Sequence, residues 1–343
     1  MPASEAIITN PKLDSEANPI KHFAGLDSLR GLASVSVAWF HLMYIWGGVA
    51  AVVSFSKYGH FGVNLFFVIS GFIIPWSMNR AGYSYSMAGR FLLKRIARIE
   101  PPYLLSALLA LIFSFLGSHA PGYSGPPFHL NWPALFSHLG YLNFFNGLPW
   151  LQPVFWSLAV EFMFYMSMAL IFPLLNSKDI KLRFSAILVL LALIPFNRHN
   201  HFQFGFNMPF FLIGIVLFQW KANLASGFST CIYIITLVCI SQIYMNIGQV
   251  LAGVGSALLV AFLNRPIPIL HQLGVISFSL YLVHIPVGSR IGNLCLRYLP
   301  HSPAWSIASA LLSIFASVLF AIAFYYLAEV PAHRLSSRIR FRR

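Results

Sequence analysis

The stretch GLDSLRGLASVSVAWFH, from Gly25 to His41, opens an apolar run yet carries two charged residues and a histidine. Ionisable side chains are costly inside a bilayer unless they are paired or lie in a polar cavity, so each one there indicates a functional site. Arg30 and His41 are eleven residues apart, three helical turns, so their side chains share one face about 16 Å apart. Asp27 and Arg30, three residues apart, are expected to pair at the cytoplasmic end. The stretch therefore predicts a membrane helix in which His41 is either a packing residue or, as a neutral imidazole in a polar cavity, a proton acceptor.

The composition outside this stretch is that of a membrane protein. The 343 residues are 58% hydrophobic and 9% charged, with a mean hydropathy of +0.73, whereas soluble proteins carry about 25% charged residues. We therefore expect an all-α, polytopic membrane protein of about ten transmembrane helices. The apolar runs predict spans at 29–49, 61–79, 99–118, 154–175, 184–197, 203–220, 227–245, 248–263, 272–290 and 304–328.

Charge is distributed unevenly between the segments that connect these spans. With both termini in the cytoplasm, 18 of the 22 lysines and arginines fall on the cytoplasmic side, as the positive-inside rule expects. This bias explains the net charge of +14 better than binding to nucleic acid does. The three cysteines have neither metal-ligand nor CxxC spacing, so the sequence predicts no metal site.

The domain organisation is simple. Residues 1–21 are predicted to form a polar cytoplasmic segment without the apolar core of a signal peptide, residues 22–335 a single transmembrane domain, and residues 336–343 a basic cytoplasmic tail. The region 119–153 is half apolar and broken by Gly and Pro, so we expect a re-entrant or interfacial helix there rather than a span.

A cationic stripe lies in RFLLKRIARIEPPY, where Arg90, Lys94 and Arg98 are spaced by four residues and Arg95 stands beside them. Two interpretations are open: an anchor on anionic lipid, or a cradle for the phosphates of coenzyme A, since arginine binds phosphate bidentately. Glu100 is expected to orient one arginine. The following pair Pro101-Pro102 is expected in the first turn of the next helix.

Two further polar groups interrupt apolar helices. Ser157, Glu161 and Tyr165 recur every four residues and predict one polar ridge, either a cavity that orients a hydroxyl or an interhelical hydrogen bond. Tyr281 and His284 share a face, for packing or for substrate contact. Ser70 and Gly71 are expected to permit close helix contact, as small residues do in membranes.

Five stretches of the sequence are LDSLRGLASVSVAWFH, GVNLFFVISGFII, KRIARIEPPY, FWSLAVEFMFY and ISFSLYLVHIPV. They occur in the order found in the membrane-bound acyltransferase-3 family, which the chain resembles over about residues 22 to 335. The resemblance implies ten core helices in the bacterial inner membrane, acyl transfer from cytoplasmic acyl-CoA, and a first-helix histidine needed for activity. The resemblance also implies that arginines contact the donor. The residues of this sequence that match the family's histidine and arginines are His41, Arg30, Arg95 and Arg98. Many relatives carry an extracytoplasmic esterase-like domain, which this sequence lacks. We therefore expect direct transfer by the membrane core, or a separate periplasmic partner protein.

The sequence thus favours an integral-membrane O-acyltransferase, most simply an acetyltransferase, that acts on a carbohydrate hydroxyl of a cell-surface polysaccharide or lipid-linked glycan. Acyl-CoA would be a co-substrate, with no permanently bound cofactor. We expect His41, Arg30, Glu161 and Asp27 in catalysis, with His41 as general base or acyl carrier. The predicted donor-binding residues are Arg95, Arg98 and Lys94, and the predicted acceptor-binding residues are Ser157, Tyr165, Tyr281 and His284. The alternatives are a transporter or flippase without covalent chemistry, and an acylase of a small molecule such as a macrolide.

Overall fold

The chain is described by a computed structural model over residues 25–44, 50–120, 127–194, 203–300 and 302–340. This part of the chain is all helical and contains no strand. Its α-helices, numbered in chain order, are α1 Gly25–Tyr44, α2 Ala50–Ser56, α3 Gly62–Arg80, α4 Ala88–Ser118, α5 Trp132–Ser137, α6 Asn143–Asn146, α7 Phe155–Leu175, α8 Ile180–Leu191, α9 Phe204–Lys221, α10 Gly227–Ser241, α11 Ile247–Phe262, α12 Pro268–Val275, α13 Ser277–Tyr298, α14 Pro303–Phe324 and α15 Val330–Ser337. The predicted N-terminal segment 1–21 lies outside the described residues, as do 341–343 of the predicted tail.

Five helical segments in the described residues are long and apolar enough to cross a membrane, and the pair α12 and α13 adds a sixth if it counts as one span. Helices α10 and α11 are apolar but shorter, and α1 carries the ionisable groups Asp27, Arg30 and His41. The all-helical membrane fold is therefore confirmed. The count of ten spans and the cytoplasmic position of both termini stay predictions.

Two predicted boundaries are wrong, both at prolines or helix junctions. The helix expected to begin near residue 99 begins at Ala88, so Pro101 and Pro102 lie in its interior rather than in its first turn. The cationic stripe therefore belongs to the same helix as the apolar segment that follows it. The span expected at 272–290 is two helices, α12 and α13, that meet at an angle of 75°.

Two prolines in the helix interiors are compensated by side chains from neighbouring helices. A proline leaves the carbonyl four residues earlier without its hydrogen bond. Pro286 thereby frees the Leu282 carbonyl, which accepts a hydrogen bond from Ser106 Oγ at 2.8 Å. Pro173 likewise frees the Ala169 carbonyl, which accepts from the Tyr83 hydroxyl at 2.7 Å. These bonds join α4 to α13 and the α3–α4 connection to α7.

Glycines set the closest helix contacts. A Cβ on Gly71 would overlap the Phe211 carbonyl, so α3 and α9 touch backbone to backbone, as predicted for Gly71. The same holds between α1 and α12, where a Cβ on Gly31 would overlap the Leu270 carbonyl and one on Gly274 would overlap the Asp27 carbonyl. Small residues at such interfaces allow helices to approach closely in membranes. Helix α1 is therefore fixed against α12 along its Arg30 end.

The region 119–153 contains only short helices in its described part, α5 and α6, which are too short to span a bilayer. Gly140 and Gly147 adopt the left-handed conformation at φ 68° and 70° and break the helical path. Buried His138 ties this segment to α4, because its Nδ1 lies 2.9 Å from the Tyr103 hydroxyl and its Nε2 accepts the Leu151 N–H at 3.2 Å. The prediction that this region does not span as a single helix is confirmed.

Candidate active site

The histidines of α1 and α13 meet in the interior of the helix bundle. His284 Nε2 lies 3.1 Å from His41 Nδ1, and the two ring centroids are 5.2 Å apart. His284 is fully buried, whereas His41 is half-buried. Each ring also contacts the backbone of its own helix, His41 Nδ1 at 3.0 Å from the Val37 carbonyl and His284 Nδ1 at 3.1 Å from the Leu280 carbonyl. The two residues, predicted separately, therefore form a single pair.

These contacts assign the tautomer of each neutral ring. A carbonyl oxygen can only accept, so His284 Nδ1 carries a hydrogen and its Nε2 carries a lone pair. His41 Nδ1 faces two acceptors, the Val37 carbonyl and that lone pair, so it carries the hydrogen as well. The lone pair of His41 is then on Nε2. An imidazole held in this tautomer can accept a proton or attack an electrophile through Nε2.

A group of arginines lies toward the other end of α1. Arg30 Nη1 is 4.0 Å from Asp27 Oδ1, the pair that their spacing predicts, and Asp27 Oδ2 is 3.9 Å from His271 on α12. Half-buried Arg98 on α4 is within electrostatic reach of Arg30 and Arg95. Cations this close repel one another unless an anion lies among them. Even with the two acids Asp27 and Glu329 beside them, Arg30, Arg95 and Arg98 keep a net positive charge, which suits the group to an anionic ligand.

Glu329 is the acid inside this arginine group, and sequence reasoning missed it as a site residue. It is buried, with 8% of its surface exposed, and interacts electrostatically with Arg30 and Arg98. Its Oε2 accepts hydrogen bonds from the Ser279 hydroxyl at 2.7 Å and the Ser279 N–H at 3.2 Å, in the first turn of α13. Glu329 ends a π-helical segment, Tyr325–Glu329, and such segments are frequent at functional sites. Only five acids lie beyond residue 21 in the sequence. This scarcity was the signal that could have identified Glu329 as a site residue.

Arg95 is held between aromatic rings on α4 and α7. Its guanidinium lies 5.4 Å from the ring centroids of both Phe91 and Tyr165, and its Nη2 donates to Ser77 Oγ at 3.3 Å. Its Nε is buried without a hydrogen-bond partner in the described residues. Arg90, by contrast, is exposed one helical turn before Lys94. The stripe therefore runs from an exposed end at Arg90 to an enclosed end at Arg98.

Ser157, Glu161 and Tyr165 lie along α7 as predicted, but they contact different partners. Ser157 Oγ lies 2.6 Å from the Tyr281 hydroxyl, and both groups reach the Val154 carbonyl. Glu161 accepts a hydrogen bond from Ser70 Oγ at 2.7 Å and interacts with Tyr165.

Three expectations about partners are corrected by these contacts. Ser70 is a hydrogen-bond donor rather than only a small packing residue. Of the two roles expected for Glu161, orienting the acceptor or orienting a histidine, the second is not seen in the described residues, where the Nδ1 atom of His41 faces Val37 and His284. Glu100 has no ion pair with an arginine in the described part of the chain. The described residues also contain no group of three His, Cys, Asp or Glu side chains placed to hold a metal ion.

Comparison with known proteins gives a consistent result. Residues 23–326 match the acyltransferase-3 family, described as an acyltransferase domain. The chain is 28% identical over 159 residues, 43% of its length, to the peptidoglycan O-acetyltransferase OatA of Listeria monocytogenes, of which it covers 23%. It is 30% identical over 154 residues, 42% of its length, to the presumed peptidoglycan O-acetyltransferase YrhL of Bacillus subtilis, of which it also covers 23%.

A third relative is matched over most of both chains. The presumed acetyltransferase ORF330 of Acidianus two-tailed virus is 27% identical over 293 residues, which are 77% of this chain and 83% of the relative. By contrast, the chain spans less than a quarter of the length of the two peptidoglycan relatives. No solved structure matches the chain.

Proposed function

The chain belongs to the acyltransferase-3 family, and we propose that it is an acyltransferase that moves an acetyl group from acyl-CoA to a carbohydrate hydroxyl at the cell surface. The observation that carries the proposal is the His41–His284 pair, which leaves a lone pair on His41 Nε2 in a helix bundle whose other end gathers arginines. The carbohydrate acceptor is supported by the names of the two bacterial relatives, which modify peptidoglycan.

In this proposal the arginine group binds the donor. Arg98 interacts electrostatically with both Arg30 and Arg95, and in this proposal the three bind the phosphates of coenzyme A together, since a guanidinium binds a phosphate with two parallel hydrogen bonds. The unpartnered Nε of Arg95 is one donor available to a bound phosphate. The 16 Å rise from Arg30 to His41 is a distance that the extended pantetheine arm covers. The thioester then lies at the level of His41, with the nucleotide among the arginines.

His41 supplies the proton transfer. Its Nε2 takes the proton of the acceptor hydroxyl as that oxygen attacks the thioester carbonyl. The carbon–sulfur bond then breaks, and the thiolate of coenzyme A leaves and takes that proton back from His41 Nε2, which restores the neutral imidazole. His284 stabilises the positive charge that forms on His41, because its Nε2 lone pair accepts the Nδ1 hydrogen. The alternative chemistry, in which His41 Nε2 attacks the thioester and carries the acyl group, uses the same tautomer and leaves a labelled protein when acceptor is absent.

The rival function is transport of a glycan or donor without covalent chemistry. The bent pair α12 and α13 is the observation in its favour, because transporters often bind substrate at interrupted helices. Transporters of that kind have an interrupted helix in each of two matching halves. The described residues contain a single interrupted helix, the bent pair α12 and α13. We therefore retain acyl transfer as the proposal.

The experiment that separates these functions uses the full chain purified in detergent with acetyl-CoA that carries a labelled acetyl group. Acyl transfer predicts release of free coenzyme A and label on a glycan acceptor, while transport predicts neither. His41→Ala should lower turnover by about 10²–10⁴-fold, the usual size of a general-base contribution. A His41→Ala protein that inserts normally and keeps more than about a tenth of the wild-type rate would refute the catalytic role of His41.

A further inference from the structure

A cavity of about 290 Å³ lies beside the last two turns of α4, away from the histidine pair. Its floor includes Ser114 and Ser118 of α4, and its walls come from the segments 127–135 and 149–151. In the predicted orientation this is the extracytoplasmic end of α4, the side on which a cell-surface glycan arrives. The volume is at the lower end of the range of small-molecule sites, about 300–1,000 Å³. A site of this size holds one sugar ring rather than a polymer.

The lining combines aromatic rings with short polar side chains. The rings are those of Phe128 and Trp150, and the polar groups belong to His129 and Asn131 as well as the two serines of α4. Asn131 accepts the Ala134 N–H through Oδ1, which leaves its Nδ2 hydrogens for a ligand. Mostly apolar or aromatic walls with a few convergent polar groups are typical of sites for small polar molecules. A sugar ring, with one apolar face and a rim of hydroxyls, fits this pattern.

The wall that holds the cavity is fixed to the bundle. Buried His138 links the segment to α4 through Tyr103 and to the Leu151 backbone, and Asn143 Nδ2 donates to the Pro149 carbonyl at 3.0 Å. Because Trp150 stands between Pro149 and Leu151, its backbone is held on both sides. The part of the lining at residues 149–151 is therefore fixed to the helix bundle.

A cation without an acid contacts the same end of α4, on the face next to the one that lines this cavity. Half-buried Arg290 of α13 packs against Gly117, where an added Cβ would lie 2.9 Å from Arg290 Nη1. The next residue of α4, Ser118, lines the cavity. Arg290 Nε is buried and has no hydrogen-bond partner, and no acid pairs with this arginine in the described residues. A buried donor left unpaired is costly, so this arginine is suited to an oxyanion supplied by a ligand.

We propose that this cavity binds one ring of the acceptor glycan, and that Arg290, on the neighbouring face of α4, binds a carboxylate or phosphate that the glycan carries. The inference rests on the proposed function and deepens it, since it assigns the acceptor to the class of anionic carbohydrates. The bound ring would hold the glycan beside the bundle, while the hydroxyl that reacts belongs to another part of the acceptor.

Binding is measured by calorimetry on the full chain in detergent, without donor. The probes are a disaccharide that contains glucuronic acid, the same disaccharide with glucose in its place, and N-acetylglucosamine 1-phosphate. We expect at least one anionic probe to bind about tenfold more tightly than the neutral disaccharide. The tighter of the two anionic probes identifies the anion of the acceptor. Equal binding of all three probes, or binding of none, overturns the proposal.

Two variants and a matched control assign any preference to this site. Arg290→Gln should remove the preference for the anionic probe, and Arg290→Lys should keep part of it. Ser114→Leu fills the cavity from an exposed position of α4 and should weaken binding of anionic and neutral probes alike. The control is Arg297→Gln, an exposed arginine two turns further along α13, which should bind as the wild type does. A preference that survives Arg290→Gln, or is lost equally in Arg297→Gln, overturns the proposal.

Release of coenzyme A separates failure of this inference from failure of the proposed function. If the wild type transfers acetyl groups to an anionic glycan while Arg290→Gln and Ser114→Leu keep its KM for that glycan, this site is wrong and the acyltransferase activity stands. A protein that binds the anionic probe through Arg290 but never consumes acetyl-CoA refutes the proposed function while the binding site stands.

Discussion

His284 Nε2 accepts the Nδ1 hydrogen of His41 across 3.1 Å, so one histidine fixes the tautomer of the other. His284→Ala should lower kcat by about 10- to 100-fold, the range seen when a group that orients a histidine is removed. The KM for the donor should change little, because the arginines are untouched. His284→Gln retains an acceptor oxygen and should recover part of the rate. Steady-state release of coenzyme A measures both constants, and an unchanged kcat in His284→Ala would make this histidine a packing residue.

The arginines of α4 allow the lipid-anchor and phosphate-cradle interpretations to be separated. A lipid anchor contributes about 1 kcal/mol per basic residue and accepts lysine in place of arginine, whereas a bidentate phosphate contact does not. Arg95→Lys and Arg98→Lys should each weaken acyl-CoA binding by about 1.5–3 kcal/mol. Exposed Arg90→Lys is the matched control and should have a small effect. Equal, small losses at all three positions in calorimetry would leave only the lipid anchor.

Glu329 offers a test of where the donor phosphates bind. Glu329→Gln removes the buried anion near Arg30 and Arg98, so the ligand-free protein should lose about 1–3 kcal/mol of stability. Coenzyme A should then raise the melting temperature of this variant more than that of the wild type, because its phosphates replace the missing charge. Exposed Asp179→Asn serves as the control acid. A variant that gains no more from coenzyme A than the wild type does would place the phosphates elsewhere.

His138 predicts a pH dependence for the segment that forms the cavity wall. Burial lowers the pKa of His138 from its ordinary value of 6.5 to about 4. The unfolded segment therefore binds a proton more readily, so its stability is complete above about pH 6.5 and is lost as the pH falls toward 4. Hydrogen exchange over residues 138–151, corrected for intrinsic rates, should show less protection at pH 5 than at pH 7. In His138→Gln that extra pH dependence should vanish, and equal protection in the wild type at both pH values would contradict the assignment.

The orientation in the membrane is tested with fusion reporters. The excess of basic residues in alternate connections predicts cytoplasmic signals for fusions after residues 90, 180 and 343. Fusions near residues 125 and 298 should report the extracytoplasmic side. An extracytoplasmic signal at the C-terminus would mean an odd number of spans and an error in the interpretation of 119–153. A cytoplasmic signal near residue 125 would reverse the side assigned to the cavity beside α4.

Sequence periodicity was sufficient to predict the bounds of helices whose ends are marked by polar residues. The predicted spans 154–175 and 203–220 differ by at most one residue at each end from α7 and α9. Sequence periodicity was insufficient at Pro101-Pro102 and at the bend after Val275. Whether a membrane helix continues through a proline or bends at a junction depends on neighbouring groups that supply the missing hydrogen bonds.

The candidate site shows the same limit. Spacing placed Asp27 beside Arg30 and aligned Ser157, Glu161 and Tyr165, because these relations lie within one helix. The contacts of His41 with His284 and of Ser279 with Glu329 join residues 243 and 50 positions apart. Such pairs depend on how helices pack, which periodicity within one sequence does not encode. Glu329 was overlooked for that reason.

The backbone contact between α1 and α12 at Gly31 and Gly274 has a consequence for how the substrates must move. Two helices that touch through their main chains cannot slide or rotate past each other without atomic overlap, so the helix that carries Arg30 and His41 is immobile relative to α12. Rocking of these two helices against each other would have to break this packing first, so we expect α1 and α12 to move as one unit. In the proposed reaction, donor and acceptor then reach His41 by separate routes along this unit.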